Sequence, residues 1–204
     1  MKLYFTPLAC SLATRIAIEE AELDAEFIRV VPGQPLPDGR PFAAISPMNY
    51  VPAMETAGGM VLSEGPVVLT YIADLAAEGV LAPPPYTEER YQMMRWLNFV
   101  ATEIHKGIFS PLMTNKSSDG AREWARGMIA KRFDLLSRQL DGQDYLIGSF
   151  SVADAYLLAV LNWCEHAGVP IADWPVLLGW RTKTRRRSSV ARAMAEEMPL
   201  LQAA

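Results

Sequence analysis

Ala82-Pro83-Pro84-Pro85 divides this chain. Proline has no backbone N–H and a fixed φ, so three in a row stop any helix and make a stiff spacer. The patterns on its two sides differ. Before it, short apolar runs alternate with single helices; after it, only helical periodicity remains. The 204 residues suffice for two small domains with a sizeable core. The expectation is an α/β domain over 1–80, a linker at 81–86 and an all-α domain over 87–204.

The first part reads as β-α-β, an irregular stretch, then β-β-α. Lys2–Thr6 alternates like a strand and Pro7 stops it. Ser11 caps a helix to about Glu22, and Phe27–Val31 is a second strand. Residues 32–41, PGQPLPDGRP, are a loop by their prolines and glycines. Ala53–Glu55 and Met60–Leu62 are strands joined by a turn at Ala57-Gly58-Gly59, and a helix runs from Pro66 to about Glu78. Beyond the linker, helices are expected over Thr87–Lys106, Ala121–Leu140, Ser151–His166, from Pro175, and over Ser188–Met198. The run after Ser151 is almost wholly apolar, which marks a buried central helix. No internal repeat or low-complexity tract is present.

Composition narrows the function. Half the residues are apolar and net charge is −4, which argues against a general nucleic-acid or anionic-membrane role. No apolar run approaches about 18 residues, so no transmembrane helix is expected. The start, MKLYFTPLAC, is strand-like and lacks the long apolar segment of a signal peptide. A cytoplasmic location follows as the expectation. Two cysteines, Cys10 and Cys164, make no disulfide framework.

Several residues could carry chemistry, each with a plainer alternative. Cys10-Ser11 lies at a strand-to-helix turn, where a helix N-terminus stabilises a thiolate; a small buried hydrophobe is the alternative. Val51-Pro52 is either a cis peptide presenting backbone to a ligand or a trans proline opening an edge strand. Glu64-Gly65-Pro66 puts a carboxylate beside bare helix amides. That suits an amino-acid zwitterion, or simply a capped helix with a solvated glutamate. His105, near a helix end, could assist a thiol, bind a carboxylate or answer the helix dipole. Ser151-x-x-Asp154 reads as a capping box. The basic run over 181–192 reads as a solvated face.

The order of these features is more specific than any one of them. MKLYFTPLACSLATRIAIEEAEL, VPAMETAGGMVLSEGPVVLTYIADL, RWLNFVATEIHKGIFSPL and FSVADAYLLAVLNW together resemble a bacterial glutathione S-transferase, most closely the beta class, over nearly the whole chain. The resemblance implies a thioredoxin-like N-terminal domain, an all-helical C-terminal domain and a cytoplasmic homodimer with a detoxifying role. Its glutathione site would lie in a cleft near the dimer interface, with glutathione as co-substrate beside a small electrophile and with no metal. It implies a cis Pro52, a Val51 backbone paired with the cysteinyl part of glutathione, and a γ-glutamyl end held by Glu64 and the Gly65 amide. Cys10 would stand beside the glutathione sulfur, Ser11 would donate to it, and His105 would lie near the thiol. Asn98, Thr102 and Glu103 would complete the site, Glu103 across the dimer, and Trp163 would line the second-substrate pocket. The implied reaction is attack by the glutathione thiolate on an electrophilic carbon, a disulfide or a peroxide.

One loop departs from the pattern. Ser46-Pro47-Met48-Asn49-Tyr50 stands where this class has Asn-Pro-Lys-Gly-Gln, so Met48 replaces a cation. That departure and the basic run fit a second reading: a non-catalytic protein of the same fold that acts through a protein partner. Cys10 and His105 favour the transferase.

Overall fold

The computed structural model describes residues 1–202; the last two residues of the expected helical domain lie outside them. The contacts divide the chain into two compact units. The first comprises Met1–Ala82 together with the segment from Arg187 onward; the second is Pro83–Arg186. The break of composition alone had put that last segment with the helices.

In the first unit, β1 (Lys2–Phe5), β2 (Glu26–Arg29), β3 (Ala53–Glu55) and β4 (Val61–Leu62) form one sheet in the order β2-β1-β3-β4. β1 and β2 are parallel, with Lys2 opposite Glu26 and Phe5 opposite Arg29. Helix α1 (Ser11–Glu20) supplies the crossover that parallel pairing requires. β3 runs antiparallel to both β1 and β4. The turn after β3 holds Gly59 at φ +79°. There the Thr56 hydroxyl takes the Met60 N–H at 3.1 Å, so the β4 pairing starts at Val61 rather than Met60.

Leu3, Leu12, Ile16, Met54, Val68, Leu69 and Ile72 are fully buried; the last three belong to α2 (Gly65–Leu75). A second cluster gathers Tyr4, Val30, Leu36, Phe42, Ile45 and Ala53. The proline-rich loop is therefore not merely solvated: Leu36 anchors it, and Phe42 enters the core from a short 3-10 turn, Phe42–Ala44. The last helix, α8 (Ser188–Gln202), packs on α1.

The second unit opens with α3 (Glu88–Phe99), capped by the Thr87 side chain, which accepts the Arg90 N–H at 3.2 Å. It continues without a break into a π-helix, Val100–Phe109, and ends as α4 (Ser110–Met113). Periodicity suggested one ordinary helix to Lys106. Helices α5 (Asp119–Leu140), α6 (Val152–Leu161) and α7 (Pro175–Thr184) complete the unit.

Every residue of α6 is buried. The Ser151 N–H and hydroxyl both donate to Asp154 Oδ2, at 3.0 and 2.7 Å, and Leu146 N–H donates to Oδ1 at 2.9 Å. Burial still pushes the Asp154 carboxyl up to about 7. After Leu161 the bonds tighten, with Trp163 N–H reaching Val160 and Cys164 N–H reaching Leu161. The helix therefore ends before His166, the end expected from its apolar pattern.

Candidate active site

The turn that follows β1 places Cys10 directly before α1. Its thiol donates to the Val51 carbonyl at 3.1 Å. The Val51–Pro52 peptide is cis, and Pro52 leads into β3. Cys10 is half-buried and reduced, as is the fully buried Cys164. Burial pushes the Cys164 thiol up to about 12, which leaves it inert.

Ser11 is placed differently from the expectation of a donor to sulfur. Its hydroxyl is wholly buried, donates to the Thr6 carbonyl and accepts the Thr6 N–H, both at 3.2 Å. Its one proton is thus committed to the turn. Leu8 in the same turn has φ +53° and gives its N–H to Glu197 of α8 at 2.7 Å. Sequence reasoning did not single out Glu197, and no local motif points to it.

Glu64 sits before α2 at φ +66° and ψ 115°, with no side-chain cap bond. The plainer alternative thus keeps its solvated glutamate at the N-cap position but not a side-chain cap. Its side chain is exposed and has no hydrogen bond or ion pair among the described residues. Gly65 begins the helix and Pro66 follows, so one of the usual free first-turn amides is absent. The segment before Val51 is closed by Ser46, whose hydroxyl donates to the Tyr50 carbonyl at 3.0 Å and accepts its N–H at 3.3 Å. Met48 is 69% exposed there, with no charge in the place where the class carries a cation.

The remaining candidates belong to the second unit. Asn98 and Thr102 are exposed. The Asn98 side-chain amide donates to the Met94 carbonyl at 2.9 Å, and the Thr102 hydroxyl to the Asn98 carbonyl at 3.0 Å. Glu103 is ion-paired with Arg132 of α5 in the same chain. His105 is buried, with Nδ1 2.7 Å from the Tyr156 hydroxyl. Burial, and then the charge of Lys106, push its pKa down to about 3, so its imidazole is neutral at pH 7. Trp163 stands edge-on to His105 at 5.0 Å and to Phe109 at 5.7 Å between ring centroids. Thr102, Glu103 and His105 all lie on the π-helix, a geometry that favours functional positions and that periodicity does not reveal.

Most side chains of the basic run are paired within the chain, several of them at its surface. Arg181 holds Glu165 with two bonds, at 2.9 and 2.6 Å, and Lys183 meets Asp144 at 2.5 Å. Arg185 meets Asn162 at 2.8 Å, and Arg187 and Arg192 pair with Glu20 and Glu19. Among the described residues, no group of three or more His, Cys, Asp and Glu could hold a metal ion. No helix there is long and apolar enough to cross a membrane.

A thiol at a helix start, a cis proline before an antiparallel strand, and a helical unit after the sheet define a thioredoxin-like protein with a helical second part. The chain matches the glutathione S-transferase N-terminal domain over residues 9–75 and the C-terminal domain over residues 99–187. It is 30% identical to the glutathione S-transferase GstA of Escherichia coli O157:H7 over 199 residues, 97% of this chain and 98% of that protein. A sphingomonad glutathione S-transferase complexed with glutathione is similar at a TM-score of 0.91 and 35% identity, covering 97% of this chain and 98% of that one. A bacterial beta-class glutathione S-transferase of Sphingomonas chungbukensis is similar at 0.90 and 35%, with the same coverage. The chain belongs to the glutathione S-transferase family and is a glutathione transferase.

Proposed function

We propose that the first unit binds glutathione through Val51, Pro52, Glu64 and Gly65, and that Cys10 stands beside the bound sulfur. One observation carries the reading: Glu64 is held at a left-handed φ with its carboxylate exposed and unpartnered. A non-glycine residue resists that conformation, and strain of this kind gathers at ligand sites. The carboxylate suits the γ-glutamyl ammonium, and the Gly65 amide suits the carboxylate beside it.

The Val51 carbonyl suits the cysteinyl N–H of glutathione. The same carbonyl accepts the Cys10 thiol, and its second lone pair lets it take both donors, which brings the thiol beside the cysteinyl part of glutathione. A free thiol has pKa about 8.5 and is only a few per cent thiolate at neutral pH. The start of α1 raises that fraction. The glutathione thiolate then forms a bond to an electrophilic carbon as the leaving group departs with its electron pair. With a glutathione disulfide, the Cys10 thiolate attacks one sulfur, forms a mixed disulfide and releases one glutathione thiolate.

Asn98, Thr102 and Glu103 are proposed as further glutathione contacts, and Trp163 as a contact of the second substrate. His105 acts here as a neutral group held by Tyr156, which fits shaping of the site better than proton transfer. A cytoplasmic homodimer acting on small electrophiles completes the reading. The alternative of a non-catalytic partner-binding protein keeps the Met48 departure as support, while most of the basic run is paired within the chain.

Calorimetric titration with glutathione tests the proposal. Wild type is expected to bind, and Glu64→Ala to lose most of that affinity. Absence of wild-type binding at millimolar glutathione would overturn the reading, and full binding by Glu64→Ala would remove Glu64 from it.

A further inference from the structure

Glu197 is a carboxylate that the proposed reaction does not use, yet its side chain is completely buried on α8. Burying such a group is costly unless it is met by partners. Burial pushes it up to about 7, against the Leu8 N–H and Arg15, which favour its charge. Oε2 accepts the Leu8 N–H at 2.7 Å. Oε1 lies 3.8 Å from Arg15 and takes no hydrogen bond.

Two other elements fasten α8, the helix that carries it. Arg15 of α1 is buried, lies over the Phe27 ring at 4.1 Å and pairs with Glu196. Arg29 of β2 donates to the Leu200 carbonyl of α8 at 2.9 Å. Glu197 is thus aimed at Leu8 by a helix docked on both α1 and the sheet.

Residues 6–10 need such support. Leu8 has φ +53°, where a side chain crowds its own backbone. The turn closes locally only in part. Thr6 and Ser11 bond each other, Ala9 N–H reaches the Thr6 carbonyl at 3.1 Å, and Pro7 has no N–H to offer. The Leu8 amide leaves the turn for Glu197, two residues before the thiol.

We propose that Glu197 is a positioning residue for Cys10: by receiving the Leu8 N–H it holds the 6–10 turn in the conformation that sets the thiol at the start of α1. The inference rests on the reading of Cys10 as the thiol beside glutathione. It assigns the work to the reach of the side chain rather than to its charge.

Two substitutions separate those properties in the full chain. Glu197→Gln keeps the reach and an acceptor oxygen but loses the charge. Glu197→Asp keeps the charge but withdraws the acceptor by one methylene. The readouts are the rate of Cys10 alkylation by iodoacetamide, located by mass spectrometry, and the glutathione dissociation constant, both taken well below each variant's unfolding temperature. Glu197→Asp is expected to slow alkylation and weaken binding about tenfold, while Glu197→Gln stays within about twofold of wild type, as misplacement of a reacting group implies. Equal values in all three proteins overturn the proposal, and so does a defect confined to Glu197→Gln.

A purely structural role would lower the unfolding temperature and leave the alkylation rate of the folded protein unchanged. Alkylation is independent of glutathione, so a wild type that fails to bind glutathione sinks the proposed function while the role of Glu197 is still decided. Hydrogen exchange needs no substitution. The Leu8 amide is expected to exchange far more slowly than an open-loop amide, and open-loop exchange there overturns the proposal even if Glu197→Asp does not fold.

Discussion

Glu64 shows how a single residue carries a conflict between stability and use. The sequence marks it by its neighbours, a glycine and a proline at a helix start. It does not reveal that the left-handed conformation falls on Glu64 itself rather than on Gly65. A carboxylate in that place costs about 1–2 kcal/mol relative to glycine, from which about 0.4–1 is offset by the greater freedom of glycine in the unfolded chain. Glu64→Gly is therefore expected to stabilise the protein by about 0.5 kcal/mol in urea unfolding while it weakens glutathione binding. Glu64→Ala keeps the strained conformation and gains no stability. A Glu64→Gly variant less stable than wild type would show that the conformation is not costly. Cys10, Pro52 and Glu64 stood out by type at element junctions, but type alone favoured the plainer alternative for each, and it took the resemblance over the whole chain to single them out. The burial of the Ser11 hydroxyl and the Tyr156 partner of His105 were not legible, since each depends on a contact that local pattern does not encode.

At the scale of elements, capping and turns were readable and the π-helix was not. Ser151 and Asp154 declare their helix start by type and spacing, and Gly59 declares its turn. A π-turn differs from an α-turn by one residue in the bond pattern, a shift that apolar periodicity absorbs without trace. Only Gly107 hints at it. A Cβ there would lie 3.1 Å from the Thr102 carbonyl oxygen, five residues earlier. That oxygen is backbone within the same helix and has little room to give. In an ordinary exposed helix, glycine to alanine stabilises by about 1 kcal/mol. Gly107→Ala is expected to do the reverse and destabilise by about 1–2 kcal/mol, the scale of overpacking. Guanidinium unfolding measures it, and the sign decides: stabilisation would mean that residues 100–109 settle as an α-helix.

Across the whole chain, the hardest feature to read was the return of α8 to the first unit. Ser188–Gln202 has the composition of one more helix after a run of helices, and nothing local assigns it to α1. The assignment is made by pairs separated by more than 160 residues. Glu20 accepts the Arg187 Nε–H at 2.7 Å and the Ser189 hydroxyl at 2.6 Å. Burial raises the Glu20 carboxyl, but these bonds outweigh it and hold the group below its ordinary value. Its contribution is therefore present above the unfolded carboxylate range and is lost as pH falls through the lower folded value. The same pairing commits one arginine of the basic run to the first unit. The side chain of Glu20 is only 14% exposed, so the pair is screened far less than a surface ion pair. In a double-mutant cycle of Glu20→Gln and Arg187→Gln, the coupling free energy is expected to be about 1–2 kcal/mol. Most of it should persist from low salt to molar salt at pH 7, and it should vanish once pH falls below the lowered folded value of Glu20. A coupling near zero, or one erased by salt alone, would reduce the contact to a surface pair and leave apolar packing on α1 as what holds the last helix to the first unit.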